Sequence, residues 1–123
     1  MQIAILVYPG MTALDAVGPY EIFHVTEAWE IRFVWKEVGP IVTDSGALII
    51  GATHTLEETP EPDLVLIPGS SADSGTVAAD ADVVAWLKAA HAHTRFTTSV
   101  CSGALVLAAA GILEGKPATT HWL

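Results

Sequence analysis

Residues 96–111 read FTTSVCSGALVLAAAG and contain the single cysteine of the chain, Cys101. The part before the cysteine is rich in β-branched residues and predicts a strand. The part after it is small and apolar and predicts a short helix that ends at Gly111, a typical C-cap residue. Cys101 therefore lies where a strand turns sharply into a helix, which is the geometry of a nucleophile elbow. The small side chains of Ser102 and Gly103 permit such a turn.

The same alternation of strand and helix recurs upstream. Five more short runs predict strands, at 2–8, 31–35, 41–43, 48–50 and 64–67. The third and fourth of these are joined by a four-residue turn and predict a hairpin. A helix is predicted from a cap at Asp80 or Asp82 to about His93. We therefore expect an α/β fold of the flavodoxin-like, doubly wound type, with a mostly parallel sheet and a small hairpin.

The stretch 12–28 has helical spacing but carries Gly18-Pro19 in its middle. Proline is tolerated in the first turn of a helix and is disfavoured in its interior. We therefore predict a short turn that carries Asp15, followed by a helix that begins near Pro19.

The chain ends in TTHWL, residues 119–123, which predicts the start of a further helix with a threonine cap. No stop signal follows, and the last residues are apolar. We therefore expect residues 1–123 to form a single domain that is truncated at its C-terminus, so that the closing part of the fold is missing.

The composition is that of a globular protein, with 51% hydrophobic and 15% charged residues. Fourteen acidic against five basic residues give a net charge of −9, and the basic residues form no cluster. Nucleic acids and anionic membranes bind clustered basic residues, so we expect neither as a partner. No apolar run is long enough to span a membrane and no secretory signal is present, which predicts a cytoplasmic protein.

Cys101 is the first candidate for chemistry. The helix that follows it points its N-terminus at the sulfur and favours the thiolate. Backbone N–H groups at the same place can hold a developing oxyanion. Ligands of open α/β sheets bind at the carboxyl ends of the strands, where this cysteine lies. Free cysteines are also common as small buried hydrophobic residues, and the spacing alone leaves both interpretations open.

Two acidic residues follow the first strand. Asp15 lies just past its carboxyl end, where a carboxyl group can donate a proton to the elbow or relay one. Its alternative role is that of a helix-capping carboxylate. Glu21 lies within the predicted helix, either on a solvated face or directed inward at the site.

Gly69 and Ser70 end the strand at 64–67. Their N–H groups can complete an oxyanion hole together with the N–H of Ser102, or they form an ordinary strand-ending turn. Among the histidines, His121 follows a strand-like segment from which it can reach the elbow. No metal-binding or nucleotide-binding motif occurs, so we predict neither a metal nor a cofactor.

Three separated motifs resemble one known family. They are ILVYPGMTALDAVGPYEIF at 5–23, LVLIPGS at 64–70 and TSVCSGALVLAAAGILEGKPATTHW at 98–122. Together they resemble the ThiJ/PfpI superfamily, which has a class I glutamine-amidotransferase-like fold. The branch that the chain resembles most is that of the isonitrile hydratases, and sensor domains of AraC-type regulators share the signature.

The resemblance implies a role for individual residues. Cys101 corresponds to the family nucleophile, and Asp15 corresponds to the acid that hydrogen-bonds it. Ser102 stands where the hydratases usually carry threonine. Gly69 corresponds to the first glycine of the oxyanion loop, in which Ser70 replaces a second glycine.

The resemblance also implies a function. Peptidase-like members carry a histidine directly after the cysteine, and this chain has Ser102 at that position. His121 corresponds to a histidine that lies near the site in several branches. We expect a homodimeric lyase that hydrates an isocyanide to an N-substituted formamide. The alternatives are the ligand-sensing domain of an AraC-type regulator and another ThiJ/PfpI activity, glyoxalase-like or amidase-like.

Overall fold

The computed structural model describes residues 1–122 and has a central parallel sheet. Its strands are β1 (Gln2–Leu6), β2 (Glu30–Trp35), β3 (Gly39–Val42), β4 (Ile49–Ala52), β5 (His54–Thr55), β6 (Leu64–Ile67) and β7 (Phe96–Ser99). Its helices are α1 (Ala13–Phe23), α2 (Gly75–Ala78), α3 (Ala81–His91) and α4 (Ala104–Ala109). A 3₁₀ turn at Cys101–Gly103 leads into α4.

Five strands form the main sheet in the order β5-β2-β1-β6-β7, and every pairing in it is parallel. β3 and β4 form a separate antiparallel hairpin. The predicted α/β class, the mostly parallel sheet and the hairpin are therefore confirmed. Because parallel strands share one direction, β1, β6 and β7 all end at the edge of the sheet where Cys101 lies.

The core is centred on β1 and β6, the two strands that are buried on both faces. Ile3 to Val7 have no exposed surface, and all four residues of β6 are buried. Helices cover both faces of such a sheet, so its strands need apolar side chains on both sides. The continuous apolar runs at 2–8 and 64–67 in the sequence meet this need.

The first helix differs from the prediction. α1 begins at Ala13 and holds Pro19 in its interior, so the predicted start near Pro19 is wrong. Besides its clash with the carbonyl four residues earlier, a proline in a helix clashes with the Cβ and N–H of the residue before it, and here that residue is Gly18, which has no Cβ. The proline therefore costs one hydrogen bond, to the Asp15 carbonyl, without ending the helix. Asp15 consequently lies in the first turn of α1.

The third helix is capped by Asp80 and not by Asp82. The Asp80 carboxylate accepts hydrogen bonds from the N–H groups of Asp82 and Val83, at 3.0 and 3.3 Å. Such a cap satisfies two of the N–H groups that a helix leaves without partners at its start. The helix ends at His91, two residues earlier than predicted.

Residues 117–122 form no helix, so the helix predicted to start at Thr119 is absent from the described part of this segment. The segment instead turns back to the elbow. The His121 N–H and the Thr120 hydroxyl both donate to the Cys101 carbonyl, at 3.2 Å each. Leu123 lies outside the described residues. Within residues 1–122, none of the helices has the length and apolar character needed to cross a membrane.

Candidate active site

Cys101 is held in a strained backbone conformation. Its φ angle is +54°, and no other non-glycine residue among residues 1–122 has a positive φ. A non-glycine residue in this region costs on the order of 1–3 kcal/mol and persists only where the surroundings impose it. Here the surroundings are β6 and the 3₁₀ turn: Val100 N–H donates to the Ile67 carbonyl at 3.1 Å, and Gly103 N–H donates to the Val100 carbonyl at 2.9 Å.

Two glycines allow the elbow to lie against the end of β6. A Cβ on Gly103 would overlap the carbonyl oxygen of Ile67. A Cβ on Gly69 would lie 2.6 Å from the backbone nitrogen of Ser102 and 2.9 Å from the Cβ of Cys101. A Cβ carbon essentially never lies this close to an atom to which it is not bonded, so both positions require glycine.

Asp15 reaches the elbow through the loop after β6. Its Oδ2 accepts a hydrogen bond from the Gly69 N–H at 3.0 Å, and the Gly69 carbonyl accepts one from the Thr12 N–H at 2.9 Å. The start of α1 therefore holds Gly69 from both sides. Within residues 1–122 no hydrogen bond joins the Asp15 carboxylate to the Cys101 thiol, so the pairing that the family resemblance implies stays a prediction.

Tyr8 lies beneath the site and was not predicted from the sequence. Its side chain is 1% exposed, and its hydroxyl donates to the Pro68 carbonyl at 2.8 Å. Burial, and then the nearby charges of Asp15 and Cys101, raise the pKa of Tyr8 far above its usual value. Tyr8 is therefore a neutral donor at any physiological pH. The only local signal is an aromatic residue at the end of an otherwise aliphatic run, QIAILVY.

The N–H groups of Gly69 and Ser70, predicted as oxyanion donors, already have acceptors. The Gly69 N–H donates to Asp15, and the Ser70 N–H donates to the Ser102 Oγ at 3.1 Å. The 3₁₀ turn begins at Cys101, and the first N–H groups of a helical turn have no acceptor within it. The Ser102 N–H is therefore the predicted donor that these hydrogen bonds leave available.

A cavity of about 720 Å³ opens over the cysteine. Its lining includes Cys101, Ser102, Leu105, Thr120 and His121. Cys101 is partly buried, so its thiol is shielded but can be reached from the cavity. The structure thus brings His121 to the cavity, as the sequence predicted that it could reach the elbow.

Glu21 lies elsewhere. Its side chain is 61% exposed and contacts the His24 ring at 2.9 Å on the outer face of α1. Of the two orientations left open by the sequence, the structure shows the solvated one.

A separate cavity of about 500 Å³ between Lys36 and Trp86 contains none of the predicted site residues. Residues 1–122 contain no group of three or more His, Cys, Asp or Glu side chains arranged to hold a metal ion.

Sequence and structure comparisons agree on the class of protein. Residues 1–123 match the DJ-1/PfpI family, and the chain belongs to that family. The predicted family resemblance is thereby confirmed.

Two known proteins are similar to this chain over nearly its whole length. The chain is 38% identical over 122 residues to an isonitrile hydratase of Pseudomonas putida, an alignment that covers 99% of this chain and 53% of that protein. It is 32% identical over 125 residues to an uncharacterized protein in the cpoL 5' region of Streptomyces lividans. That alignment covers 98% of this chain and 87% of the Streptomyces protein.

Among solved structures, a THiJ/PfpI family protein from Pseudomonas syringae superposes with a TM-score of 0.93 at 40% identity. That superposition covers 98% of this chain and 50% of the other. The chain thus spans about half the length of the hydratase and of this solved relative.

Proposed function

We propose that the protein containing these residues is an isonitrile hydratase-like lyase, which adds water to an isocyanide and releases an N-substituted formamide. One observation carries the proposal: a strained cysteine elbow opens onto a cavity, and an acid in the first turn of α1 is hydrogen-bonded to the loop beside the elbow. The 38% identity to the Pseudomonas putida isonitrile hydratase supports the choice of substrate.

In the first step, the Cys101 thiolate attacks the terminal carbon of the isocyanide. Asp15 protonates that same carbon, and the product is a thioimidate, Cys–S–CH=N–R. One Asp15 oxygen is held by the Gly69 N–H, which fixes the carboxyl group and leaves Oδ1 for proton transfer. A positioned acid of this kind contributes typically about 10²–10⁴-fold to a rate.

In the second step, water adds to the thioimidate carbon. Asp15, now a carboxylate, takes a proton from the water and passes it to the nitrogen, which gives the tetrahedral intermediate Cys–S–CH(OH)–NH–R. Collapse of this intermediate breaks the C–S bond and releases R–NH–CHO and the thiolate, while the proton of the hydroxyl group passes to Asp15 and restores the acid. The Ser102 N–H is the backbone donor available to the intermediate. Thiolate and carboxyl group supply every step, so the proposal needs no metal or cofactor.

The proposal includes a homodimer in the cytoplasm. α1 buries only Ala16 and exposes Leu14 and Ile22 to 73% and 70%, and Val25, two residues beyond its end, is 71% exposed. Contiguous exposed apolar side chains are typical of interaction surfaces, and a second copy of the chain is the partner we propose.

The cytoplasm keeps a free thiol such as Cys101 reduced, as the chemistry requires.

The proposal is tested with the complete protein that carries these residues. Cyclohexyl isocyanide is the substrate, and formation of N-cyclohexylformamide is followed by chromatography. Cys101→Ser nearly keeps the size of the side chain and replaces the thiol by a hydroxyl, which is not ionised near neutral pH and is a far weaker nucleophile, so we expect product from the wild type and none above background from the variant. A folded wild-type protein that forms no formamide would overturn the proposal.

A further inference from the structure

The loop after β6 contains a buried hydroxyl that the proposed chemistry does not use. Ser74 is 7% exposed, and its Oγ lies 2.6 Å from the Oγ of Ser102. This is the shortest of the contacts that Ser102 makes. Ser102 Oγ also accepts from the Ser70 N–H at 3.1 Å and lies 3.4 Å from the Ser70 carbonyl.

Counting donors and acceptors decides the direction of the 2.6 Å hydrogen bond. A serine hydroxyl has one proton and two lone pairs, and the Ser70 N–H already occupies one lone pair of Ser102. If Ser102 donated to Ser74, its one proton would be lost to the Ser70 carbonyl, 3.4 Å away, and the Ser74 proton would face the cavity that Ser74 also lines, with no acceptor among the described residues. If Ser74 donates, both lone pairs of Ser102 are occupied. The Ser102 proton is then directed at the Ser70 carbonyl, at the limit of a hydrogen bond, or into the cavity.

The loop holds Ser74 firmly in this position. Ser70 Oγ donates to the Gly10 carbonyl at 2.6 Å and accepts from the N–H groups of Ala72 and Asp73 at 3.1 and 3.0 Å. The Asp73 carboxylate accepts from the Gly75 N–H at 2.7 Å, directly after Ser74. These hydrogen bonds lower the freedom of the loop on both sides of Ser74, so its hydroxyl is presented to Ser102 in one orientation.

We propose that Ser74 is a positioning residue that makes the Ser102 hydroxyl an obligate hydrogen-bond donor toward an acceptor atom bound beside Cys101. The inference rests on the proposed function for the identity of that acceptor, the heteroatom of the intermediate. The Gly69 and Ser70 N–H groups already have acceptors and cannot donate to the intermediate. The Ser102 hydroxyl then serves as the second donor beside the Ser102 N–H.

The kinetic test is a double-mutant cycle on the complete protein. Ser74→Ala lowers kcat for isocyanide hydration by roughly three- to tenfold with KM nearly unchanged, the range of one neutral hydrogen bond. Because Ser74 acts through Ser102, the same change has no further effect in a Ser102→Ala background. Ser102→Thr keeps the hydroxyl and keeps the sensitivity to Ser74→Ala. Additive losses of kcat in the double variant, or no loss from Ser74→Ala, would overturn the inference.

A second measurement does not depend on the hydratase reaction. Iodoacetamide and allyl iodide alkylate Cys101 with the same leaving group, but only iodoacetamide carries a carbonyl acceptor. We expect Ser74→Ala to lower the ratio of the two alkylation rates about three- to tenfold. Ser45→Ala, which removes an exposed hydroxyl from the hairpin turn, leaves the ratio unchanged. An unchanged ratio in the Ser74 variant contradicts the inference.

The two measurements separate the proposals. A lowered ratio of alkylation rates in a protein without hydratase activity keeps the role of Ser74 and rejects the substrate. Formamide production together with an unchanged ratio rejects the role of Ser74 and keeps the hydratase. Ser74→Gly removes the same hydroxyl and replaces Ser74→Ala if that variant does not unfold cooperatively.

Discussion

At the scale of single residues, the site depends on side chains that hold the backbone as much as on those that react. Asp15 holds the Gly69 N–H, Ser102 holds the Ser70 N–H, and Tyr8 holds the Pro68 carbonyl. The sharp turn at Cys101 could be predicted, because a cysteine between a strand and a helix with small neighbours indicates an elbow. The partners of these N–H and carbonyl groups could not, since they lie 32 to 60 residues away in the sequence.

Replacing Asp15 with asparagine tests its role in proton transfer. Asparagine keeps an oxygen that can accept from the Gly69 N–H but has no acidic proton. We expect Asp15→Asn to lower kcat about a hundredfold or more, the usual scale of general acid–base catalysis. The measurement is steady-state hydration of cyclohexyl isocyanide, with Glu21→Gln, an exposed acid on the same helix, as the matched control. Turnover equal to that of the control would remove Asp15 from the mechanism.

The raised pKa of Tyr8 predicts a loss of stability in alkaline solution. Above the usual tyrosine pKa of 10.0, the unfolded chain loses the Tyr8 proton while the folded chain keeps it. The unfolded state then binds fewer protons, so the free energy of unfolding falls as pH rises. Below that pKa the contribution is fully present.

Urea denaturation between pH 8 and pH 11 measures this effect. Tyr8→Phe removes the titrating group, so its free energy of unfolding should fall less steeply above pH 10 than that of the wild type. At neutral pH the variant should be less stable by about 1–2 kcal/mol, because the buried Pro68 carbonyl loses its donor. Parallel curves for the two proteins would show that Tyr8 ionises equally in the folded and unfolded states.

At the scale of elements, the elbow is a contact between the turn before α4 and the end of β6. The sequence identifies Gly103 as a small neighbour of the cysteine, but only the structure shows that its missing Cβ makes room for the Ile67 carbonyl. The start of α1 was mispredicted for a similar reason. A general rule against proline inside helices does not consider the residue before the proline. Here that residue is Gly18, which has no Cβ for the proline ring to clash with.

Gly103→Ala should disrupt this contact. The added methyl overlaps backbone, which cannot rotate away as a side chain can, so we expect a loss of about 2 kcal/mol or more in the free energy of unfolding. Cys101 should also leave its positive φ and react differently with iodoacetamide. Gly51→Ala is the control, since a Cβ at Gly51 meets nothing within 4 Å. Equal stability of the two variants would contradict the close contact.

At the scale of the whole molecule, the order of strands and helices could be predicted because each element has its own periodicity and its own end signals. The short helix α2 and the two-residue strand β5 were missed, because so few residues show no periodicity. The course of residues 117–122 was mispredicted because the hydrogen bonds of Thr120 and His121 to the Cys101 carbonyl are tertiary contacts. No local pattern records them.

The proposed homodimer makes a prediction at this scale. Ile22 is 70% exposed on α1, so Ile22→Glu should leave the fold of the single chain nearly unchanged while placing a charge in the proposed interface. Light scattering of the complete protein should give the mass of two chains for the wild type and of one chain for the variant. A wild-type protein with the mass of one chain would refute the dimer.

The central claim is that Cys101 attacks the isocyanide carbon. Intact-protein mass spectrometry of a wild-type reaction quenched during turnover tests it most directly. We predict an adduct that adds the mass of one cyclohexyl isocyanide and that maps to Cys101 after digestion. Formamide production that continues in Cys101→Ser without any such adduct would contradict the claim.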